Sequence, residues 1–305
     1  MTPAQLAQSF YAHLQRLVDA GKRKPATLSY YHSQIDPWLA ELGKINADPA
    51  QLALHVHTIE DLKPIHLANG SETWHRVQSV QAMFNWAAND LEAIKTSPFK
   101  KVKKPPLGQR SRTLSRRDVA RILSDTDRGF RLFLVTMRHT IARPGEIRRL
   151  QWKHFNAEEC VFALSSFKAK ERRADKMAVR KIPLDLYMQR LISAMKRNRN
   201  PDPDDFIFVN RVGKPFSKDN IVNRMGGICG RLGLNNGEGE RIVAYSIRHT
   251  SATQASANGI RDRMLAELMG HTNPRTTQRY IHLDTEAMTK AIAAATSRQR
   301  PLKAG

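Results

Sequence analysis

The sequence predicts a mainly α-helical chain with one small β-hairpin or sheet: a helical N-terminal domain followed by an α+β C-terminal domain in which helices dominate. Three observations carry this. Apolar residues recur at helical spacing through the first hundred positions, and the clearest β-rich runs fall together between residues 160 and 184. Between these regions lies a basic stretch broken by proline and glycine, and the 305 residues suffice for a core on each side of it.

In the N-terminal domain, residues 1–98, Leu6, Phe10, Leu14 and Leu17 form one helical stripe, ended by Gly21. Leu28, Tyr31, Ile35, Trp38, Leu39 and Leu42 form a second, ended by Gly43, with Pro37 expected to kink it. Thr58 opens a shorter helix, and Ser71 another that carries Trp74, Val77, Val80, Met83, Phe84 and Ala87. A linker, residues 99–112, follows within the run "SPFKKVKKPPLGQRSRTLSRRD". Its cations Lys100, Lys101, Lys103, Lys104, Arg110 and Arg112 read as a strand that lies along phosphates.

The C-terminal domain, residues 113–305, opens with a capping box from Ser115 to Asp118 and two helices that run into "HTIARPGEIRRLQWKHF". "CVFALSSFKAK" and "KMAVRKIPL" read as a hairpin around a charged turn, and "DFIFVN", residues 205–210, as a further short strand. Helices then resume, with Ser217, Ser246 and Pro274 near starts and Gly259 and Gly270 near ends. Ala287, Met288, Ala291 and Ile292 predict a tail helix.

Charge bounds the partner. Fifty Lys+Arg against 28 Asp+Glu give +22, which calls for a polyanion, most commonly nucleic acid. No segment pairs basic residues with a strongly apolar face, and no run approaches the roughly 18 apolar residues of a membrane span. The N-terminus reads as neither signal nor anchor. No aromatic-rich strand of the RNA-binding kind is visible, so an RNA or ribosomal role is weaker. Two cysteines without CxxC spacing fit a reducing, cytoplasmic setting and argue against zinc or disulfides.

Four clusters could do chemistry. "TIARPGEIRRL" contributes Arg143 and Glu146. The hairpin contributes Lys168, with Lys170 and Lys176 as rivals. "YSIRHTSAT" contributes Arg248, with Tyr245 one turn before it. "LMGHTNPRTTQRYIHL" contributes His271 after Gly270, then a new helix from Asn273-Pro274 that carries Tyr280 among Gln278, Arg279 and His282. Singly, each has an ordinary structural explanation. Together they are what attack on a phosphodiester needs without a metal: arginines to clamp the phosphate, a phenol as nucleophile and a lysine as acid for the leaving oxygen. Clustered carboxylates and paired-Cys ligand sets are missing from the sequence, so neither metal nor cofactor is expected.

At these residues the chain resembles the tyrosine recombinase (phage integrase) family. Thr140, Arg143 and Glu146 match its T-G-x-R-x-x-E box, with Ile141 in place of the usual glycine. Arg248, His249, Ala252 and Thr253 match H-x-x-R-H-x-x-A-T, with Tyr245 at the usual histidine. Gly270, His271, Thr276, Thr277 and Tyr280 match the closing box L-G-H-x-x-x-x-T-T-x-x-Y. The resemblance implies site-specific cleavage and rejoining of double-stranded DNA through a 3′-phosphotyrosyl link on Tyr280. Arg143 and Arg248 would be the phosphate clamps, Lys168 the hairpin acid and His271 the base. Tyr245, a phenol that titrates at about 10, is left a positioning or donor role. It further implies a core-binding N-terminal domain and a tail docking on a neighbouring protomer. The assembly would be a homo-tetramer on paired sites, formed from a monomer or weak oligomer in free solution. A type IB topoisomerase-like nicking and closing enzyme, or an idle DNA-binding protein of the same fold, are the alternatives.

Overall fold

A computed structural model describes residues 2–44, 70–100, 102–105, 112–165, 179–235, 240–271 and 276–277. The chain divides into two compact units, residues 1–109 and 110–305.

In the first unit, α1 spans Pro3–Asp19, α2 Pro25–Lys44 and α3 Gly70–Asn89. A capping box starts α1: the Thr2 hydroxyl accepts from the Gln5 N–H, and the Gln5 side chain accepts from the Thr2 N–H. Leu6, Phe10 and Leu14 are buried as the stripe requires, and the chain turns at Gly21 with φ +69°. Two boundaries differ from expectation. α2 carries Pro37 internally and runs past Gly43 to Lys44, and α3 begins at Gly70, one residue before Ser71. The helix expected from Thr58 lies outside the described residues.

These helices bury Ile35, Trp38, Val80, Met83, Phe84 and Ala87. Phe99 joins them, its ring centroid 4.8 Å from Phe84 and 6.1 Å from Trp38. The Gln81 side-chain amide donates to the carbonyls of Phe99 (2.9 Å) and Val102 (2.8 Å). The first residues assigned to a linker are thus fastened into this unit's core.

In the second unit, α4 (Arg116–Ser124) and α5 (Arg128–Thr140) start at the N-caps Ser115 and Asp127. The single turn α6 (Pro144–Ile147) leads to β1 (Phe155–Asn156), β2 (Val161–Ser165) and β3 (Val179–Pro183). Four helices follow: α7 (Leu186–Arg199), α8 (Lys218–Arg231), α9 (Ala244–Ala257) and α10 (Asp262–Met269). The expected hairpin is β2–β3, antiparallel from Val161↔Pro183 to Ser165↔Val179, and β1 adds a third antiparallel strand through Phe155↔Phe162. At two residues, β1 is too short to show an alternating pattern.

Residues 205–210 do not form the expected strand. They make only the isolated bridges Gln151↔Phe206 and Val209↔Pro215. Ile207 and Phe208 look strand-like in sequence because both are buried in the core, where Phe208 and Phe216 pack around Phe133. Ser217 caps α8 as expected, whereas α9 starts two residues before Ser246, whose hydroxyl accepts from the Val243 N–H at 3.2 Å. Apart from Thr276 and Thr277, the helix expected after Pro274 and the tail helix lie outside the described residues.

Phe99→Ala should lower the unfolding free energy of the first unit by about 3–5 kcal/mol, the usual cost of emptying a buried phenylalanine site. Faster hydrogen exchange of the α1–α3 core amides would register it. Unchanged protection would remove Phe99 from that core.

Candidate active site

Three segments converge on the C-terminal end of α10. The first leaves α5. Thr140 is buried; its hydroxyl donates to the Thr136 carbonyl (2.7 Å) and accepts from the Ala142 N–H (3.3 Å). Between them Ile141 is left-handed, φ 53° and ψ 19°, an outlier for a β-branched residue. Its side chain packs into a small apolar cluster with Ala252, Leu265 and Met269, which seats α9 and α10 against this turn. The reversal makes Arg143 the N-cap of α6. Glu146 accepts from the Arg143 backbone N–H (2.8 Å) and from its Nη1 (2.9 Å), so one carboxylate caps the turn and aims the guanidinium.

The second segment is α9. Arg248 is wholly buried; Nη1 donates to the Ile141 carbonyl (2.7 Å) and Nη2 to the Met269 carbonyl (2.8 Å). Tyr245, one turn earlier, lies with its ring centroid 5.5 Å from the Arg248 guanidinium carbon.

α10 itself ends in a Schellman turn: Gly270 N–H to Glu267 O and His271 N–H to Ala266 O, both 2.9 Å, with Gly270 at φ +63°. His271 follows directly. Its Nε2 is 3.4 Å from Arg248 Nη2, and its Nδ1 is 2.8 Å from the hydroxyl of buried Thr277. A guanidinium has donors only, so in this contact Nε2 is the acceptor.

The third segment, β3, brings Arg180, which the sequence reading did not single out. Its Nη1 donates to Glu267 O (2.6 Å), its Nη2 to Leu268 O, and its Nε lies 3.8 Å from the Glu146 carboxylate. Arg143 Nη2 takes Gly270 O at 2.7 Å. Three arginines therefore satisfy the carbonyls of residues 267 to 270. Burial pulls the Arg180 pKa down; Glu146 works against that, while Arg143 and Arg248 add to it. A cue did exist in sequence: strand alternation puts Arg180 on the same face as Ile182, which is wholly buried.

Of the predicted site residues, Arg143, Arg248, His271 and Tyr245 are thus brought together. Lys168, its rivals Lys170 and Lys176, and Tyr280 lie outside the described residues, as do Lys101 and Arg110. Lys100, Lys103 and Lys104 are exposed, with the Lys104 ammonium 5.0 Å from the Trp74 ring centroid. Arg112, expected to contact phosphate, bonds within the second unit. Its backbone N–H donates to the Glu240 carboxylate (3.0 Å), and its guanidinium to the carbonyls of Glu240 (2.8 Å) and Leu234 (3.0 Å). Among the described residues no group of His, Cys, Asp and Glu is placed to hold a metal ion, and no helix is long and apolar enough to cross a membrane.

This fold, with its arginine-lined turn, belongs to a protein class that sequence comparison defines. The profile described as Phage integrase family matches residues 112–287, more than half of the chain, and the chain belongs to that family of tyrosine recombinases, enzymes that cut and rejoin DNA. Among relatives, the tyrosine recombinase XerC of Escherichia coli O127:H6 is 28% identical over 236 residues, 74% of each chain. XerA of Thermococcus onnurineus is 26% identical over 220 residues, 70% of this chain and 72% of its own. Among solved structures, the Tn1549 transposon integrase in complex with transposon right end DNA superposes with a TM-score of 0.70 at 18% identity, covering 97% of this chain and 100% of that one. A lambda integrase tetramer bound to a Holliday junction gives 0.69 at 15% identity, covering 92% and 78%.

The left-handed turn makes a testable claim about strain. Both Ile141→Ala and Ile141→Gly should lose about 2–4 kcal/mol from the emptied cluster. The glycine variant should nonetheless be the more stable of the two by about 1 kcal/mol, because only glycine adopts positive φ without cost. Urea denaturation compares them, and an alanine variant as stable as the glycine one would mean that the turn holds no strain.

Proposed function

We propose that this protein catalyses site-specific DNA strand exchange through a covalent tyrosyl intermediate. The observation that carries the reading is the convergence of Arg143, Arg248 and His271, from distant positions, on one helix end. Tyr280 stands nine residues after that histidine in the family's closing box.

In this reading the Tyr280 phenol oxygen attacks a phosphorus of double-stranded DNA. The bond to the 5′-oxygen breaks, leaving a 3′-phosphotyrosyl link and a free 5′-hydroxyl. A 5′-hydroxyl from a partner strand then attacks the link, releases the phenol and restores a phosphodiester, so no external energy source is consumed. Arg143 and Arg248 present N–H donors to the non-bridging oxygens and offset charge as the five-coordinate phosphorus forms. The Nε2 lone pair of His271 suits it to take the phenol proton. Lys168 delivers a proton to the departing 5′-oxygen, and Tyr245, beside Arg248, orients that guanidinium or donates to phosphate. Cationic side chains do the work that a metal does in other nucleases, so the chemistry needs no metal.

Residues 1–98 act as the core-binding domain, with Phe99 seated in its core, residues 113–305 catalyse, and in the linker between them Lys100, Lys101, Lys103, Lys104 and Arg110 contact the DNA backbone. Four protomers assemble on paired sites, with the tail linking neighbours, in the cytoplasm where the DNA lies. The net charge of +22 and the similarity to integrases solved on DNA support this.

Tyr280→Phe should bind DNA with affinity within about threefold of wild type, since many phosphate contacts remain. It should form no covalent adduct on a nicked suicide substrate resolved by denaturing gel, and an undiminished adduct would end the assignment of Tyr280. Wild-type cleavage should persist in EDTA; activity lost in chelator and regained with Mg²⁺ in the chemical step would refute the metal-free mechanism.

A further inference from the structure

We propose that Arg180 is a positioning residue for strand transfer: from β3 it clamps the last turn of α10 and thereby sets Arg143 and His271 in reacting geometry. The proposal rests on the reading of this site given above.

The geometry is that of a brace between two elements. Arg180 reaches from the sheet to the carbonyls of Glu267 and Leu268, while its Nε faces the carboxylate of Glu146. Glu146 is the same group that holds both the backbone and the Nη1 of Arg143. One end of the brace therefore bears on the turn that carries His271, and the other on the carboxylate that aims Arg143. Its side chain is only 15% exposed, so the fork is held within the protein.

Helix capping alone does not explain it. Gly270 already closes α10 with both bonds of a Schellman turn, which take the Ala266 and Glu267 carbonyls, and Arg248 and Arg143 satisfy those of Met269 and Gly270, so capping asks of Arg180 only the Leu268 carbonyl. A third guanidinium at this turn adds repulsion from both of the others. What it adds in return is location. A Cβ on Gly270 would meet Arg180 Nε at 2.8 Å and Arg143 Nη1 at 3.0 Å, so both guanidinium groups press close against that glycine. Arg180 fixes where this glycine, and the histidine that follows it, can sit relative to the sheet. Displacement of a catalytic group by about 1 Å can cost a hundredfold in rate.

The experiment compares wild type, Tyr280→Phe, Arg180→Ala and Arg180→Lys on a nicked suicide substrate, with the single-turnover rate at saturating DNA separated from the gel-shift Kd. Arg180→Ala should form adduct at least about tenfold more slowly with Kd changed less than about threefold, a loss in the chemical step rather than in binding. Arg180→Lys keeps the charge but cannot bridge two carbonyls and face Glu146 at once, so it should remain at least about fivefold slow. Wild-type rates in both variants would overturn the proposal, as would full rescue by lysine, which would reduce Arg180 to a charge. A loss confined to Kd would make Arg180 a DNA contact instead. Should the alanine variant fail to fold, the lysine variant decides alone by the same criterion. Failure of the underlying site reading looks different: no adduct from wild type, or adduct from Tyr280→Phe.

Discussion

The second unit depends on one interaction: arginines arriving from three directions to satisfy the carbonyls that end α10. A helix leaves its last carbonyls unpaired and carries roughly half a negative charge there, so its end attracts cations. Here that end draws Arg143, Arg180 and Arg248 into a space where like charges would otherwise scatter. Each charge-assisted bond contributes about 1.5–3 kcal/mol net. Glu146, shared by Arg143 and Arg180, supplies countercharge to both. The left-handed turn after α5, the capping carboxylate of α6 and the short antiparallel sheet all serve to deliver those side chains to one place.

The same arrangement explains what could be read in the sequence and what could not. Helices with long apolar stripes, such as α1 with Leu6, Phe10 and Leu14, were legible because periodicity reports burial directly. Arg143, Arg248 and His271 were legible because their spacing follows a shared pattern of boxes. Arg180 was not, since a single arginine between Val179 and Lys181 looks like one more solvated cation until the sheet turns it inward. The run 205–210 misled for the opposite reason: Ile207 and Phe208 are buried by tertiary packing, and burial without a ladder partner looks like a strand. Of the caps inferred from residue type alone, Ser217 fell in place, while the starts near Ser71 and Ser246 moved by one or two residues.

The basic joint shows that net charge and individual charge are different kinds of information. A count of cations treats Lys103 and Arg112 alike, yet Lys103 is exposed, whereas Arg112 spends its guanidinium on the loop carbonyls of Leu234 and Glu240. Nearby, the Leu114 N–H donates to the Thr250 hydroxyl on α9 at 2.9 Å, so the chain entering the second unit is sewn to the helix that carries Arg248. Phe99 and Gln81 anchor the other end within the first unit. Polar residues of a linker can thus belong to the domains it joins.

Ile141 gives the site a cooperative character. Its backbone is held in an unfavourable conformation by the packing of its side chain among Ala252, Leu265 and Met269 and by the bond from Arg248 to its carbonyl. Loosening that cluster releases the turn, the turn releases the carbonyl that anchors Arg248, and Arg248 in turn lets go of Met269. No member of this loop of dependencies can fray alone. Fluctuations at the site should therefore be rare, all-or-none openings of the α9–α10 seam rather than graded wobble of single side chains.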